Sequence, residues 1–345
     1  MAEEDRAPGW EAIDQALVPL YGDREPIHYG TAIPASLGGP DPLTGISAYS
    51  RRDPPHWHFV TYGFTELYGK EIEDRETSGF GFELTLRVAR PASEDQPPAW
   101  ALHVLQNLGR YVFSSGNAFG VGHHMPLNSP ICLGSSTAIW AIAFTRDPEL
   151  KEFRSENGRA EFLQVVGITM DELELAKDWN TKSFLESLAK ISPLLMTDLD
   201  CRSILADPAL AAALRARADA EGSSMDAVYA QKSTFSPGPP LIWEIGALWV
   251  DGVLRGLKGR LLHQRSFDLI GQDNLIRLLP ANKAGVRLQK NELTVQVTPG
   301  LAKEILSTLK PRRGEYRFPS IPDFVLRVVP TEIKSQKGEI TEVVG

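Results

Sequence analysis

From Ser78 to Arg90 the chain reads SGFGFELTLRVAR, and in it Phe80, Phe82, Leu84, Leu86 and Val88 alternate with Gly81, Glu83, Thr85 and Arg87. A period of two sends successive side chains to opposite faces, so this stretch reads as a strand with one apolar and one polar face. The apolar face belongs to a core. The polar face is expected to be partly solvated, as in a mixed or antiparallel sheet. HWHFVTYGF, TAIWAIAF and EFLQVVGIT read as further strands.

Helical spacing sets the other elements. Trp10, Ile13, Leu17 and Leu20 follow Pro8 and predict an opening amphipathic helix; Val104, Leu105, Leu108 and Val112 predict another after Pro98. Thr169 with Glu172 has the form of a capping box, and Asn180 or Thr181 caps a helix carrying Phe184, Leu185, Leu188 and Ile191. Gly38, Gly39, Pro40 and Pro42 enforce a turn-rich segment between helix and sheet. Strands and helices alternate irregularly, which indicates an α+β fold.

A chain of 345 residues exceeds what one core organises, so two domains are expected. After Asp207-Pro208 an alanine-rich stretch decays into Ser, Gly and Pro, which places a linker at residues 212–239 between domains at 1–211 and 240–345. In the second, ALWVDGVLRG is a hairpin candidate through Asp251-Gly252, and Val286 and Leu288 face Leu293, Val295 and Val297 across a turn. Leu301, Ile305 and Leu309 mark a short helix, followed by a strand around DFVLRVV.

A net charge of −8 opposes nucleic-acid binding by bulk electrostatics, and the short run Lys310, Arg312, Arg313 reads as solvated charge. Cys132 and Cys201 are too few for a disulfide framework or a thiolate zinc site. The opening MAEEDRAPGW is acidic where a secretory signal is basic and then apolar, and no apolar run approaches a membrane span, so a cytoplasmic protein is expected.

Nucleotide motifs fail on their glycines. Gly69-Lys70 lacks the rest of a P-loop, and Gly120-Val121-Gly122 meets Met125 where a dinucleotide fingerprint needs a third glycine. No HExxH or GxSxG occurs. His56 and His58 share a strand face and, with His123 or His124, offer three nitrogens to a metal, but no carboxylate or thiolate accompanies them at ligand spacing. Packing histidines among aromatic neighbours is the stronger reading. The acidic group Glu71, Glu73, Asp74 and Glu76 reads as a solvated loop. No cofactor or metal is implied. The loop SSGNAFGVGHHMPLN, Ser114–Asn128, follows Tyr111, whose position suits core packing and binding equally.

Seven segments carry a resemblance. PGWEAIDQALVPLYGDREPIHYGT, LGGPDPLTGIS, HWHFVTYGFTELYG, SGFGFELTLRV, LGRYVFSSGNAF, FLQVVGIT and LRGLKGRLLHQRSF resemble, in order and spacing, the Suppressor of fused family. The resemblance implies two Suppressor of fused-like domains and a non-enzymatic cytoplasmic regulator of the kind that restrains Hedgehog/Gli signalling. It also implies that a partner's peptide segment is clamped as an added strand in an interdomain cleft. Carried to this chain, the binding residues are Tyr111, Phe119, Gly122, His123 and His124, with Arg260 and His263 on a strand of the second domain. Animal members carry an aspartate where this chain has His123; imidazole in place of an acceptor carboxylate removes a charge-assisted bond, which speaks against Gli as the ligand. The compact form points to a bacterial relative. Alternatives are an immunity protein that neutralises a toxin and a His-ligated metal-dependent enzyme.

Overall fold

The computed structural model describes residues 6–33, 38–91, 93–334 and 338–345, so the first five residues of the acidic N-terminus and Leu37 of the turn-rich segment lie outside it. The chain divides into two units, Met1–Glu174 with Thr181–Ala211, and Leu175–Asn180 with Ala212–Gly345.

The first unit begins with helix α1 (Pro8–Tyr21), where Pro8 supplies a preset φ at the first turn and Gly22, at φ 57°, ends the helix with its N–H on the Val18 carbonyl. Strands β1 (Ile27–Gly30), β2 (Gly45–Arg52), β3 (Pro55–Tyr62) and β4 (Thr77–Ala89) follow, then helix α2 (Ala99–Ser115). Next come β5 (His124–Pro126), β6 (Ile139–Arg146), β7 (Phe153–Ser155), β8 (Gly158–Thr169), and helices α3 (Met170–Asp178) and α4 (Thr181–Ala189). The strands form one mixed sheet in the order β1-β2-β3-β4-β8-β6-β5, with β7 paired to β8 and the β4–β8 contact parallel. The expected capping box is half present: the Thr169 N–H donates to Glu172 Oε2 at 2.9 Å, while the Thr169 hydroxyl turns to Asp171.

Each face of the sheet has its own core. Leu105, Leu108 and Val112 of α2 pack with Phe82, Leu84, Leu86 and Val88, the apolar set of the alternating strand. On the opposite side Ile13, Leu17 and Tyr21 of α1 pack with Tyr49, Val60, Tyr62 and Phe162. The expectation of a partly solvated polar face is therefore corrected: Glu83, Thr85 and Arg87 are all 0% exposed. Strand β4 is central, and both sides of a central strand are covered when helices lie on both faces.

Charge buried this deeply needs partners. Glu83 accepts hydrogen bonds from the Thr61 and Thr65 hydroxyls at 2.6 and 2.7 Å and from the Gly63 and Thr65 N–H groups at 3.0 and 2.9 Å. Arg87 grips Asp147 with two nitrogens and also reaches Glu149 at 2.9 Å and the Gln164 side-chain oxygen. Asp147 further accepts from the Thr85 hydroxyl at 2.7 Å. His58 stands beside this pair. Its Nε2 lies 3.3 Å from Asp147 Oδ2 without meeting hydrogen-bond geometry, and its Nδ1 lies 2.6 Å from the Tyr21 hydroxyl. Burial, then the charge of Arg87, push the His58 pKa down to about 4, so the ring is neutral; the Asp147 carboxylate facing Nε2 favours the proton there, which leaves Nδ1 to accept from Tyr21. Burial by itself would raise the Asp147 carboxyl, but the Arg87 guanidinium paired with it outweighs that and holds the group well below the usual carboxylate range.

The second unit continues through α5 (Pro208–Glu221), β9 (Ala227–Tyr229), β10 (Ser233–Ser236), β11 (Leu241–Gly246) and α6 (Val250–Gly259). Then follow β12 (Phe267–Ile270), β13 (Leu275–Pro280), β14 (Gly285–Gln289), β15 (Glu292–Val297), α7 (Pro299–Thr308), β16 (Gly314–Arg317), β17 (Phe324–Val329), β18 (Thr331–Lys334) and β19 (Ile340–Val344). One sheet runs β10-β11-β17-β16 and another β14-β15-β13-β12-β9. Their shared core includes Trp243, Val253, Leu257, Phe267, Ile276, Leu301 and Leu326. The register across β14 and β15 pairs Val286 with Val295 and Leu288 with Leu293, as the sequence predicts.

Two expectations change here. Residues 212–239, read from composition as a linker, carry most of α5 and strands β9 and β10. Trp179 anchors that helix by donating its indole N–H to Glu221 at 2.7 Å. The Asp251-Gly252 hairpin is instead the first turn of α6, because Val250, Val253, Gly256 and Leu257 bury one helical face. Gly256 is required there: a Cβ would sit 2.4 Å from the Phe267 ring.

Arg87→Met, which leaves Asp147 buried without its cation, is expected to cost about 3–5 kcal/mol in urea denaturation. The pH dependence follows from His58. Its folded-state pKa lies below the unfolded value of about 6.5, so the unfolded chain takes up the proton first as pH falls. The stability is whole above about pH 6.5 and is lost progressively towards about pH 4, in total about 3 kcal/mol. In His58→Asn this part of the slope should vanish, whatever the variant's absolute stability.

Candidate functional site

Helix α2 ends at Gly116, whose left-handed φ of 72° turns the chain out of the helix and back beneath it. That reversal brings Phe119 under Tyr111, with ring centroids 5.6 Å apart and planes 18° from parallel. Phe119 in turn stacks on Phe144 of β6 at 4.2 Å and 16°. Three rings thus run from the sheet core to the surface. Tyr111 is the outermost, 38% exposed, and Asn117 Nδ2 donates to its hydroxyl at 3.5 Å.

Main-chain bonds fix the rest of the loop to β6. The Gly122 N–H donates to the Phe144 carbonyl at 2.8 Å, and the Phe144 N–H donates to the His123 carbonyl at 2.9 Å. Gly122 holds φ 90°, and a Cβ there would lie 3.0 Å from Lys182 Cγ, so a side chain would meet both strain and crowding. The two adjacent histidines diverge. His123 is exposed and its ring lies over Gly120; His124 is half-buried, opens β5, and its Nδ1 lies 2.9 Å from the Thr181 hydroxyl at the start of α4. Strand β5 closes one end of the sheet, with β6 as its strand neighbour.

Tyr111 near the end of α2, Phe119, Gly122 and His123 of the loop that follows, and His124 at the start of β5 therefore gather in one region of the first unit. Arg260 and His263 belong to the second unit, and the expected strand there is corrected. Arg260 caps α6 and His263 ends a short 3-10 turn, because Arg260 keeps the backbone winding by accepting the His263 N–H at 2.9 Å. The Arg260 guanidinium donates to the carbonyls of Ser266 and Ser223 at 2.9 and 3.3 Å, and the His263 ring packs on Gly222. Both side chains thus tie the end of α6 to the chain beyond α5.

The metal alternative loses its geometry. His56 Nδ1 donates to the Pro54 carbonyl at 2.7 Å and His58 is held by Tyr21. Among the described residues no group of three or more His, Cys, Asp or Glu side chains is arranged to hold a metal ion. What sequence reasoning missed is Phe144, the base of the ring stack. Its apolar strand was legible, but nothing local announces a contact with Phe119, 25 residues away in the sequence.

A family model described as Suppressor of fused protein matches residues 39–201, which include the loop but not Arg260 or His263. The mouse Suppressor of fused homolog is 35% identical over 241 residues, covering 65% of this chain and 50% of its own length. The chain thus spans about half the length of the curated relatives it matches. The crystal structure of Drosophila Suppressor of Fused superposes with a TM-score of 0.80 at 23% identity, covering 94% of this chain and 97% of that one, a likeness of fold. A crystal structure of a Sufu–Fu complex matches at 30% identity and a TM-score of 0.56, covering 61% of this chain and 98% of that one.

Phe119→Ala, which removes the middle ring, is expected to destabilise the protein by about 1–3 kcal/mol in chemical denaturation. Tyr111→Ala removes only the exposed end of the stack and should cost less than about 1 kcal/mol.

Proposed function

The chain belongs to the Suppressor of fused family, and on that footing we propose that it is a non-enzymatic regulator that holds a segment of another protein against the loop between α2 and β5. The observation that carries this reading is the exposed Tyr111 ring, stacked through Phe119 onto the core beside a strand at the end of the sheet. An aromatic side chain already immobilised by stacking loses little entropy when it is covered, which is what an interface anchor requires. A terminal strand accepts an extended peptide through main-chain hydrogen bonds, while neighbouring side chains select its sequence.

Within this reading Tyr111 and Phe119 contribute apolar contact, Gly122 lets the backbone approach closely, and His123 and His124 select hydrogen-bonding or acidic groups. The contributions of Arg260 and His263 belong to the same proposal. That a solved relative is a Sufu–Fu complex agrees with a partner protein as the ligand. Nothing in the comparisons favours an immunity protein or a metal-dependent enzyme. Among the described residues no helix is long and apolar enough to cross a membrane, and a cytoplasmic site of action is part of the proposal.

The double variant Tyr111→Ala, His123→Ala should keep the native near-ultraviolet circular dichroism yet capture its partner from native lysate at least about ten-fold less well, a loss of about 1.4 kcal/mol. Undiminished capture by the folded variant, quantified by mass spectrometry, rules out this site.

A further inference from the structure

Between Gln96 and Arg146 the chain has no aspartate or glutamate, although it carries 44 of them in 345 residues and a net charge of −8. The stretch contains α2, the loop that follows it, β5 and β6, the part of the first unit that holds Tyr111, Phe119, Gly122 and His123. Burial does not account for the gap. Ser114, Ser115, Asn117 and Asn128 are exposed and uncharged, at positions where a carboxylate would be as well solvated as a hydroxyl or an amide.

The positive groups at this place are left without acceptors. The two arginines of the stretch are neutralised from outside it, Arg110 by Asp41 and Arg146 by Glu161 at 2.8 Å. His123 is exposed with its ring over Gly120, and among the described residues no hydrogen bond or ion pair engages that ring. A further cation arrives from α4. The stem of Lys182 crosses the loop at Gly122, where a Cβ would lie 3.0 Å from Lys182 Cγ and 3.5 Å from its Cδ. The Lys182 side chain is exposed, and among the described residues its ammonium has no partner, although Glu186 lies one turn further along the same helix. The Thr181 hydroxyl, 2.9 Å from His124 Nδ1, ties the helix that carries Lys182 to the start of β5.

A chain with this net charge repels acidic segments in general. Along the acid-free stretch such a segment meets no carboxylate, and at Gly122 it meets an unpaired ammonium beside an imidazole that has an N–H to donate. A segment rich in Lys or Arg finds no counter-charge there. Removing the unfavourable charges and adding a favourable one act in the same direction, and together they select the sign of the ligand.

We infer that the segment held against the loop is acidic, carrying Asp or Glu side chains, and that Lys182 is the residue that selects it; this rests on the partner site proposed above. Lys182 lies 60 positions from Gly122 in sequence, so only the fold brings it to the loop.

The test selects binders from a displayed library of random peptides on the full chain and keeps those that the Tyr111→Ala protein no longer binds, so that only peptides using the loop are read. Their sequences should be enriched in Asp and Glu and depleted in Lys and Arg relative to the starting library. Lys182→Gln should weaken the selected peptides roughly three-fold, and Lys182→Glu, which replaces attraction by repulsion, roughly ten-fold. Lys182→Arg keeps the charge and should bind them as the unmodified chain does. A glutamate in the first turn of α4 is favoured by the helix dipole, so the Lys182→Glu protein should fold, which an unchanged near-ultraviolet circular dichroism spectrum checks. Tyr111-dependent peptides without acidic enrichment, or acidic ones indifferent to Lys182→Glu, overturn this inference and leave the loop as a partner site. A library that yields no Tyr111-dependent peptide overturns the partner site itself, and this inference with it.

Discussion

Arg87 sits at 0% exposure in the central strand of the first sheet, and its pairing with Asp147 is the constraint on which the arrangement of that unit turns. Asp147 follows β6, Gln164 lies on β8, His58 on β3, and Tyr21 ends α1; each reaches Arg87 or Asp147 directly or through one intermediate. Gln164 extends the set by donating to the Leu194 and Leu195 carbonyls, just before Thr197 pairs with the backbone of β4. A slip of β4 by one residue would drive Arg87 into the apolar layer under α2 and bring Leu86 or Val88 against Asp147. The alternation fixes which side is apolar; the ion pair penalises the wrong register.

The loop that packs under Tyr111 inherits its rigidity from this scaffold. Phe144, the base of the ring stack, lies on β6 three residues before Asp147, so the strand held by the buried pair also holds Phe119. Gly116 and Gly122 supply the two left-handed turns that let so short a loop return to the sheet edge. A binding loop on a rigid base keeps its side chains presented with little entropy left to lose. The buried pair also reaches across the sheet, where Tyr21 joins it through His58 and stacks on Tyr49.

Much of this was legible where a single element decides the outcome. The period of two in β4, the helical spacing in α2 and α7, and the facing apolar pairs of β14 and β15 all appear as read, because burial of one face is a local instruction repeated along the element. Local signals failed where two of them competed. Asp251-Gly252 is a turn signal, but Val253 and Leu257 could be buried only on a helix, and packing against Phe267 prevailed. The Ser, Gly and Pro content of residues 212–239 suggested a linker, yet Trp179 and β12, the sheet partner of β9, lie far from it in sequence and recruit it into the second unit.

The amino-acid order by itself determined the α+β character, the apolar faces of β4, α2 and α7, and the short segment from the end of α2 onward that holds Tyr111, Phe119, Gly122 and His123, since those residues lie within thirteen positions of one another. The tertiary structure alone decided that Glu83 and Arg87 are buried, that Phe144 supports the ring stack, and that Lys182 of α4 lies across Gly122. Whether a polar face meets water or protein depends on what packs over it. That covering layer comes from elsewhere in the chain, so no local pattern encodes it.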